Sequence, residues 1–269
     1  MGLLDQLRVR PGDAPKLDAR DPGARLGADA RAAGLERLVK IVERLGGLHN
    51  RLYAEERHAV LLVLQGMDAA GKDGVIRSVF TGVNPQGCRV ESFKVPTPEE
   101  LGHDFLWRVH ARCPRHGEIA IFNRSHYEDV VAVRVRNLVD EKVWSRRYAH
   151  IVAFERLLSD EGTSVVKVFL HESRDEQRKR LQERVDNPEK RWKFRLGDLD
   201  DRARWDDFQR AYEDAIRETS TEHAPWYVVP ADHNWSRNLC VAEILVDALE
   251  RLAPAVPAPE LGAERLTIT

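Results

Sequence analysis

The apolar positions divide the chain into strands and helices before any single residue is weighed. Four short runs, Ala59 to Leu64, Glu118 to Phe122, Ser164 to Leu170 and Trp226 to Val229, are largely apolar. Runs of that length read as strands buried on both faces. A fifth, Arg89 to Phe93, alternates more and is a weaker strand signal. Between them, helical periodicity marks Lys72 to Phe80, Pro98 to Arg112, Glu141 to Asp160, Arg174 to Arg184, Asp201 to Arg217 and Asn234 to Leu252. From Asp29 to Glu56, residues such as Leu38, Leu45 and Leu52 predict one more helix, although Gly46-Gly47 argues against an unbroken one. Strands alternating with amphipathic helices imply βαβ crossovers, hence an α/β fold with a mostly parallel sheet and helices on both faces. In such sheets ligands bind beyond the carboxyl ends of the strands, so the residues that follow each strand carry the chemistry.

The flanks differ from this middle. Residues 1–29 are rich in Pro, Gly and Asp and read as an irregular arm, and 254–269 as a surface tail. No internal repeat divides 30–253, which reads as a single domain.

Charge and cysteine usage narrow the function classes. A formal net charge of −2 across 269 residues, with 32% charged, gives no global basic excess, so no nucleic-acid partner is expected. Any polyanion site must be a local concentration of Lys and Arg. Cys88, Cys113 and Cys240 lie far apart in sequence, which argues against a zinc site or a disulfide framework and suits a reducing compartment. The first residues lack the apolar core of a signal peptide, and no apolar run has the length of a membrane span. The expectation is a soluble, cytoplasmic protein with no membrane partner.

The first buried strand runs into L-Q-G-M-D-A-A-G-K-D-G, residues 64–74. The spacing Gly66-x4-Gly71-Lys72, between strand and helix, is that of a phosphate-binding loop. Backbone N–H groups around Ala70, Gly71 and Gly74 would turn toward the anion, and Lys72 would reach the outer phosphates. Two features depart from the usual form. Asp73 stands where a Ser or Thr ligates the cation, and Asn123 ends the strand where an aspartate is usual. Asp68, inside the loop, would restore the missing magnesium ligand. Asp73 is either a second ligand or a first-turn residue favoured by the helix dipole.

After the strand at 118–122 come Asn123, Arg124 and then H-Y-E-D. Arg124 is placed for bidentate contacts to phosphate oxygens, or for a salt bridge to Glu128 or Asp129. Transfer to an ionised phosphate needs no base, so His126 reads as a packing or hydrogen-bonding residue. Here the chain resembles the polyphosphate kinase family 2. The resemblance rests on G-x-D-x-x-G-K at Gly66 to Lys72, F-N-R-S-x-Y-E at Phe122 to Glu128, and D-N-P-E-K-R-W-K-F at Asp186 to Phe194. It covers roughly residues 55–250. Asn123 and the Tyr127-Glu128-Asp129 run look most like its class III, whose members phosphorylate both AMP and ADP. The resemblance implies a three-layer, thymidylate-kinase-like P-loop fold with a helical basic lid at about 174–200. It implies Mg2+ organised by Asp68 and Asn123, phosphates held by Lys72 and Arg124, Glu128 near the nucleotide, and a homodimer or homotetramer.

The lid segment Arg174 to Arg195 holds nine Lys or Arg against five Asp or Glu. Arg184, Lys190, Arg191 and Lys193 are its candidate donor contacts, whereas Arg178, Lys179 and Arg180 also suit a solvated helix face. A polyphosphate donor offers only a row of phosphates, so an extended basic track fits it better than it fits ATP. Thr97 and Glu100 have the spacing of a capping box heading the helix that carries Arg108, a candidate contact for the acceptor phosphate. An ATP-dependent nucleoside or nucleotide kinase and a non-catalytic polyanion binder are the competing readings.

Overall fold

The apolar runs become the inner strands of one six-stranded sheet in the computed structural model, which describes residues 2–259. Its strands are β1 (Arg8–Val9), β2 (Ala59–Gln65), β3 (Cys88–Ser92), β4 (Ile119–Asn123), β5 (Thr163–His171) and β6 (Trp226–Pro230). The first helices are α1 (Leu3–Leu7), α2 (Arg31–Glu55), α3 (Lys72–Val79), α4 (Pro98–Leu101), α5 (Trp107–His110) and α6 (Ala132–Val135). There follow α7 (Glu141–Asp160), α8 (Arg174–Asp186), α9 (Gly197–Ala203), α10 (Trp205–Thr219) and α11 (Asn234–Leu252).

Strand order is β1-β6-β5-β2-β4-β3, parallel throughout except for the β1–β6 pair. Alternate residues of β2 serve opposite faces. Val60, Leu62 and Leu64 pack with Leu45 and Leu52 of α2, Val75 of α3 and Leu239 of α11. Leu61 and Val63 pack with Ile151 of α7 and Phe208 and Ile216 of α10. This makes three layers, with β2 at the centre and its carboxyl end between β4 and β5. The chain passes to one side of β2 for β3 and β4 and to the other for β5 and β6. That switch opens a crevice where the loop after β2 sits.

Four expectations change. Helix α2 is unbroken through Gly46-Gly47, because Leu38, Leu45 and Leu52 seal one face against α11 and tertiary packing outweighs the low propensity of glycine. The helix expected over 98–112 is two short ones, α4 and α5, since Asp104 Oδ1 accepts from Leu106 N (2.9 Å) and shapes the turn between them. The helix expected over 201–217 is α9 and α10. Residues 1–29 are not simply irregular. They form α1 and β1, which pairs with the edge of β6 and buries Leu7, Val9 and Leu17. Of the tail, residues 254–259 have no regular structure, and 260–269 lie outside the described residues.

Candidate active site

The loop after β2 turns where only glycine fits. At Gly66, with φ of +150°, an added Cβ would lie 2.9 Å from Leu170 O of the adjacent strand. At Gly71, with φ of +98°, it would lie 2.0 Å from Arg237 Nη1. Lys72, the first residue of α3, is buried and donates Nζ to Gly66 O (2.7 Å) and Met67 O (3.1 Å). Burial, with the charge of Arg124 beside it, holds its ammonium below the usual lysine range, and Asp68, Glu128 and Glu172 offset part of that.

The two loop carboxylates answer to different cations. Asp68 pairs with Arg124 at the end of β4. Burial would raise its carboxyl, but Arg124 and then Lys72 outweigh burial and keep it below the usual range, hence ionised. Arg124 adopts φ of +63°, the left-handed region, so its guanidinium bridges Asp68 and Glu128 Oε2 (3.3 Å). Such strain persists where the surroundings over-determine a residue. Those surroundings are visible: Ser125 Oγ accepts from Tyr127 N (3.2 Å), and Tyr127 and His126 are fully buried on Glu155. Glu155 in turn pairs with the fully buried Lys167 (2.5 Å). His126 is thus part of the core beneath the site.

Asp73 is more exposed. Its Oδ1 accepts from Asn123 Nδ2 (2.9 Å) and its Oδ2 from Lys193 Nζ of the lid (3.4 Å). Partial burial opposes ionisation, but Asn123 and then Lys193 outweigh it and place the carboxyl below the usual range.

The donor set fits a hard divalent cation of the kind that phosphates bring with them. Among the described residues no three His, Cys, Asp or Glu cluster into a metal cage. An octahedral cation of this kind takes one or two carboxylates and completes its shell with water and substrate phosphate. Asp68 supplies an ionised carboxylate, and Asn123 has a carboxamide oxygen not used in its bond to Asp73.

These groups line one cavity of about 1560 Å³. Asp68, Lys72, Asp73, Asn123 and Arg124 form its centre, with Gly71 and Gly74 beside them. One wall follows β3 and carries Arg108, which donates Nη1 to Lys94 O (2.9 Å) and lies over the Phe93 ring. Thr97 and Glu100 form the expected capping box just before it. Glu128 and Asp129 lie on the same side. Asp129 keeps one buried oxygen without a partner among the described residues, and burial raises its carboxyl above the usual range. Across the centre stands the basic segment. Arg184 pairs with Asp198 (3.5 Å), and Lys190 and Lys193 face the cavity.

A sequence model described as "Polyphosphate kinase 2 (PPK2)" matches residues 29–256. The chain belongs to the polyphosphate kinase 2 family. It is 58% identical to the AMP/ADP-polyphosphate phosphotransferase of Meiothermus ruber, over 98% of this chain and 100% of that protein. It is 50% identical to the ADP-polyphosphate phosphotransferase of Rhodopseudomonas palustris, over 80% of this chain and 79% of that one. The crystal structure of polyphosphate kinase 2 from Arthrobacter aurescens TC1 superposes with a TM-score of 0.94 at 42% identity, covering 98% of this chain and 95% of that one.

Three of the residues read from sequence lie outside the cavity wall of this family member. Gly66 and Ala70 shape the loop from behind, with Ala70 fully buried. Arg191 donates Nε to Val185 O (2.9 Å) and stays on the outer surface of the lid. Two arginines were missed. Arg180, whose sequence also suits a solvated helix face, donates to Ala231 O (2.7 Å), Asp232 O (3.0 Å) and the loop carbonyls of Ala69 (3.3 Å) and Ala70 (3.4 Å). Arg237, in the first turn of α11, is 2% exposed and donates to Ala70 O (3.2 Å). It follows the last strand, so the strand-end rule alone would have singled it out. Arg180 carried no such signal, since i,i+4 pairing to Glu176 is what a solvated helix face also shows.

Proposed function

We propose that the protein transfers the terminal phosphoryl group of inorganic polyphosphate to AMP or ADP, reversibly and with Mg2+. The acceptor's terminal phosphate oxygen attacks the end phosphorus of the chain. The bridging P–O bond breaks, and the polyphosphate leaves one unit shorter. No side chain need take a proton, which agrees with the buried position of His126. Lys72 and Arg124 would hold the transferring group, and Lys190, Lys193 and Arg184 would neutralise the leaving chain. Arg108 and Glu128 would meet the acceptor on the β3 side. Mg2+, held by Asp68 and Asn123, would supply charge neutralisation to the phosphates.

The observation that carries this reading is the continuity of the cavity. It joins a phosphate loop to a cationic lid on one side and to Arg108 on the other. The full-length likeness to a protein named for AMP and ADP as acceptors supports the choice of both. The test is product analysis with AMP or ADP, Mg2+ and either polyphosphate or ATP as sole donor, and Lys72→Ala as the inactive control. ADP and ATP formed from polyphosphate are the expected products. Turnover with ATP alone would replace this reading by an ordinary nucleotide kinase. Light scattering on the same preparation tests the expected dimer or tetramer, and fractionation of the source cells tests the cytoplasmic expectation. Among the described residues no helix is long and apolar enough to cross a membrane.

A further inference from the structure

The cavity continues past the phosphate loop on the side away from Arg108. Arg108 follows β3 and α11 follows β6, and these strands lie on opposite sides of β2 in the sheet. The opening of α11 therefore extends the crevice in the direction opposite to the acceptor wall.

The floor there is built from buried charge. Arg237 donates Nη1 to Asn234 Oδ1 (2.8 Å), and Nε (3.2 Å) and Nη2 (3.0 Å) to Asn238 Oδ1. Among the described residues no carboxylate lies within ion-pair distance of it. Arg180 shares two of its acceptors, Ala70 O and Asn234 Oδ1. Burial first, and then the charge of Arg180, pulls the Arg237 guanidinium down to about 9. Glu172 offsets part of that, but burial holds its own carboxyl toward the neutral form, so the guanidinium rests mainly on amide and carbonyl oxygens and favours an anion.

The rim has the same sign. Arg25, Arg31 and Arg77 line this part of the cavity and are exposed. Arg31 and Arg77 make no side-chain hydrogen bond or ion pair among the described residues, and Arg25 reaches only His233 Nε2 (3.4 Å). Two long helices open here, α2 at Arg31 and α11 at Asn234. Neither has a side-chain cap or an acidic residue in its first turn, although that end of a helix favours negative charge. Of the carboxylates nearby, Asp232 accepts from Ser173 N (2.8 Å), Glu176 from Arg180 (2.9 Å), and Glu172 pairs with Arg180 (3.5 Å). The arm that carries Arg25 is pinned, by Pro22 O to Asp232 N (3.1 Å) and by Leu26 N to Ser236 Oγ (2.9 Å).

We propose that this stretch, floored by Arg237 and Arg180 and rimmed by Arg25, Arg31 and Arg77, is a distal subsite for the donor's phosphate chain, through which the N-terminal arm and the first turn of α2 set the chain length the enzyme prefers. The proposal rests on polyphosphate being the donor. Only a linear row of phosphates presents anions both at Lys72 and this far along the crevice; a nucleoside triphosphate ends in ribose and base.

The test is the triple variant Arg25→Ala, Arg31→Ala, Arg77→Ala, whose side chains are exposed and leave the core untouched. Calorimetric binding of long-chain polyphosphate and of tripolyphosphate is compared between wild type and variant at low and high salt, with KM for long-chain donor alongside. Long-chain Kd and KM should rise on the order of ten-fold, as the loss of three exposed charge contacts allows. Tripolyphosphate, held at the catalytic end, should weaken far less. The log–log salt slope for the long chain should become shallower, by up to about one per lost contact. Equal weakening of both lengths would place the three residues in the general field of the site and overturn the subsite, and so would an unchanged long-chain Kd. Wild type that makes no ADP from AMP and polyphosphate would instead overturn the donor assignment itself.

Discussion

Two negative charges inside the loop proposed to hold phosphate are tolerable because each is answered by a different cation. Asp68 is tied to Arg124 and lies close enough to Lys72 to lower its own pKa, whereas Asp73 is tied to Asn123 and the lid. The two asparagine variants should therefore differ. Asp68→Asn should lower kcat/KM by about 10²-fold or more, the scale of losing one group that stabilises transition-state charge, and shift the Mg2+ titration upward. Asp73→Asn should do less of both. An Mg2+ titration of Asp68→Asn identical to that of wild type would remove Asp68 from the metal site. Glu172, just after β5, makes a separate case. It is 2% exposed, with one oxygen unpartnered among the described residues, and burial outweighs Arg180 and Lys72 to raise its carboxyl well above the ordinary value of 4.5. A folded-state pKa above the unfolded one means that the native state binds more protons, so this group's contribution to stability falls as pH rises above the unfolded value. Glu172→Gln mimics the protonated form. Its Tm relative to wild type should climb as pH is raised from acid toward neutral, and a pH-independent difference would show that Glu172 is already ionised in the fold.

At the scale of elements, periodicity was a good guide wherever burial was continuous. β2, β4, β5 and β6 and the helices α7 and α11 fall within a residue or two of the sequence pattern. It failed where local hydrogen bonds broke a helix, as at Asp104, and where long-range packing overruled propensity, as at Gly46-Gly47. It was silent about Lys167, a charge in an apolar strand, because its partner Glu155 is brought to it by the α7–β5 packing. The site followed the same division. Asp68, Lys72, Asn123 and Arg124 are local to two motifs and were legible, whereas Arg237 reaches the loop from the far end of the chain, and its place after β6 was its one signal. The glycines sharpen the point. Gly47 is exposed, with nothing among the described residues within 4 Å of an added Cβ, so Gly47→Ala should stabilise α2 by about 0.5–1 kcal/mol and raise Tm by roughly 1–4 °C. Gly71→Ala must hold a positive φ and displace the buried Arg237 guanidinium. It should lower Tm and abolish transfer, and a variant as active as wild type would mean that the loop can rebuild around a side chain.

Across the whole molecule the net charge is −2, yet the cavity gathers cations from the lid, the loop, α11 and the arm. Long-range attraction is therefore local, and it should act on the donor far more than on AMP, which brings one phosphate. For polyphosphate, kcat/KM should fall steeply with added salt, while KM for AMP changes little. The lid offers an internal control. Arg184, Lys190 and Lys193 face the cavity, and Arg191 turns outward to the carbonyl of Val185. Alanine at any of the first three should raise KM for polyphosphate by about two- to five-fold, the range of one exposed charge contact, with the effect shrinking as salt rises. Arg191→Ala should leave that KM within error of wild type, and lose only a contact that fastens the turn after α8. A lid that closes over the donor as a rigid piece keeps this difference, because Arg191 stays on its outer face throughout. Equal losses at all four positions would mean that the segment refolds on closing and brings Arg191 inward, so that the resting geometry does not describe the donor track.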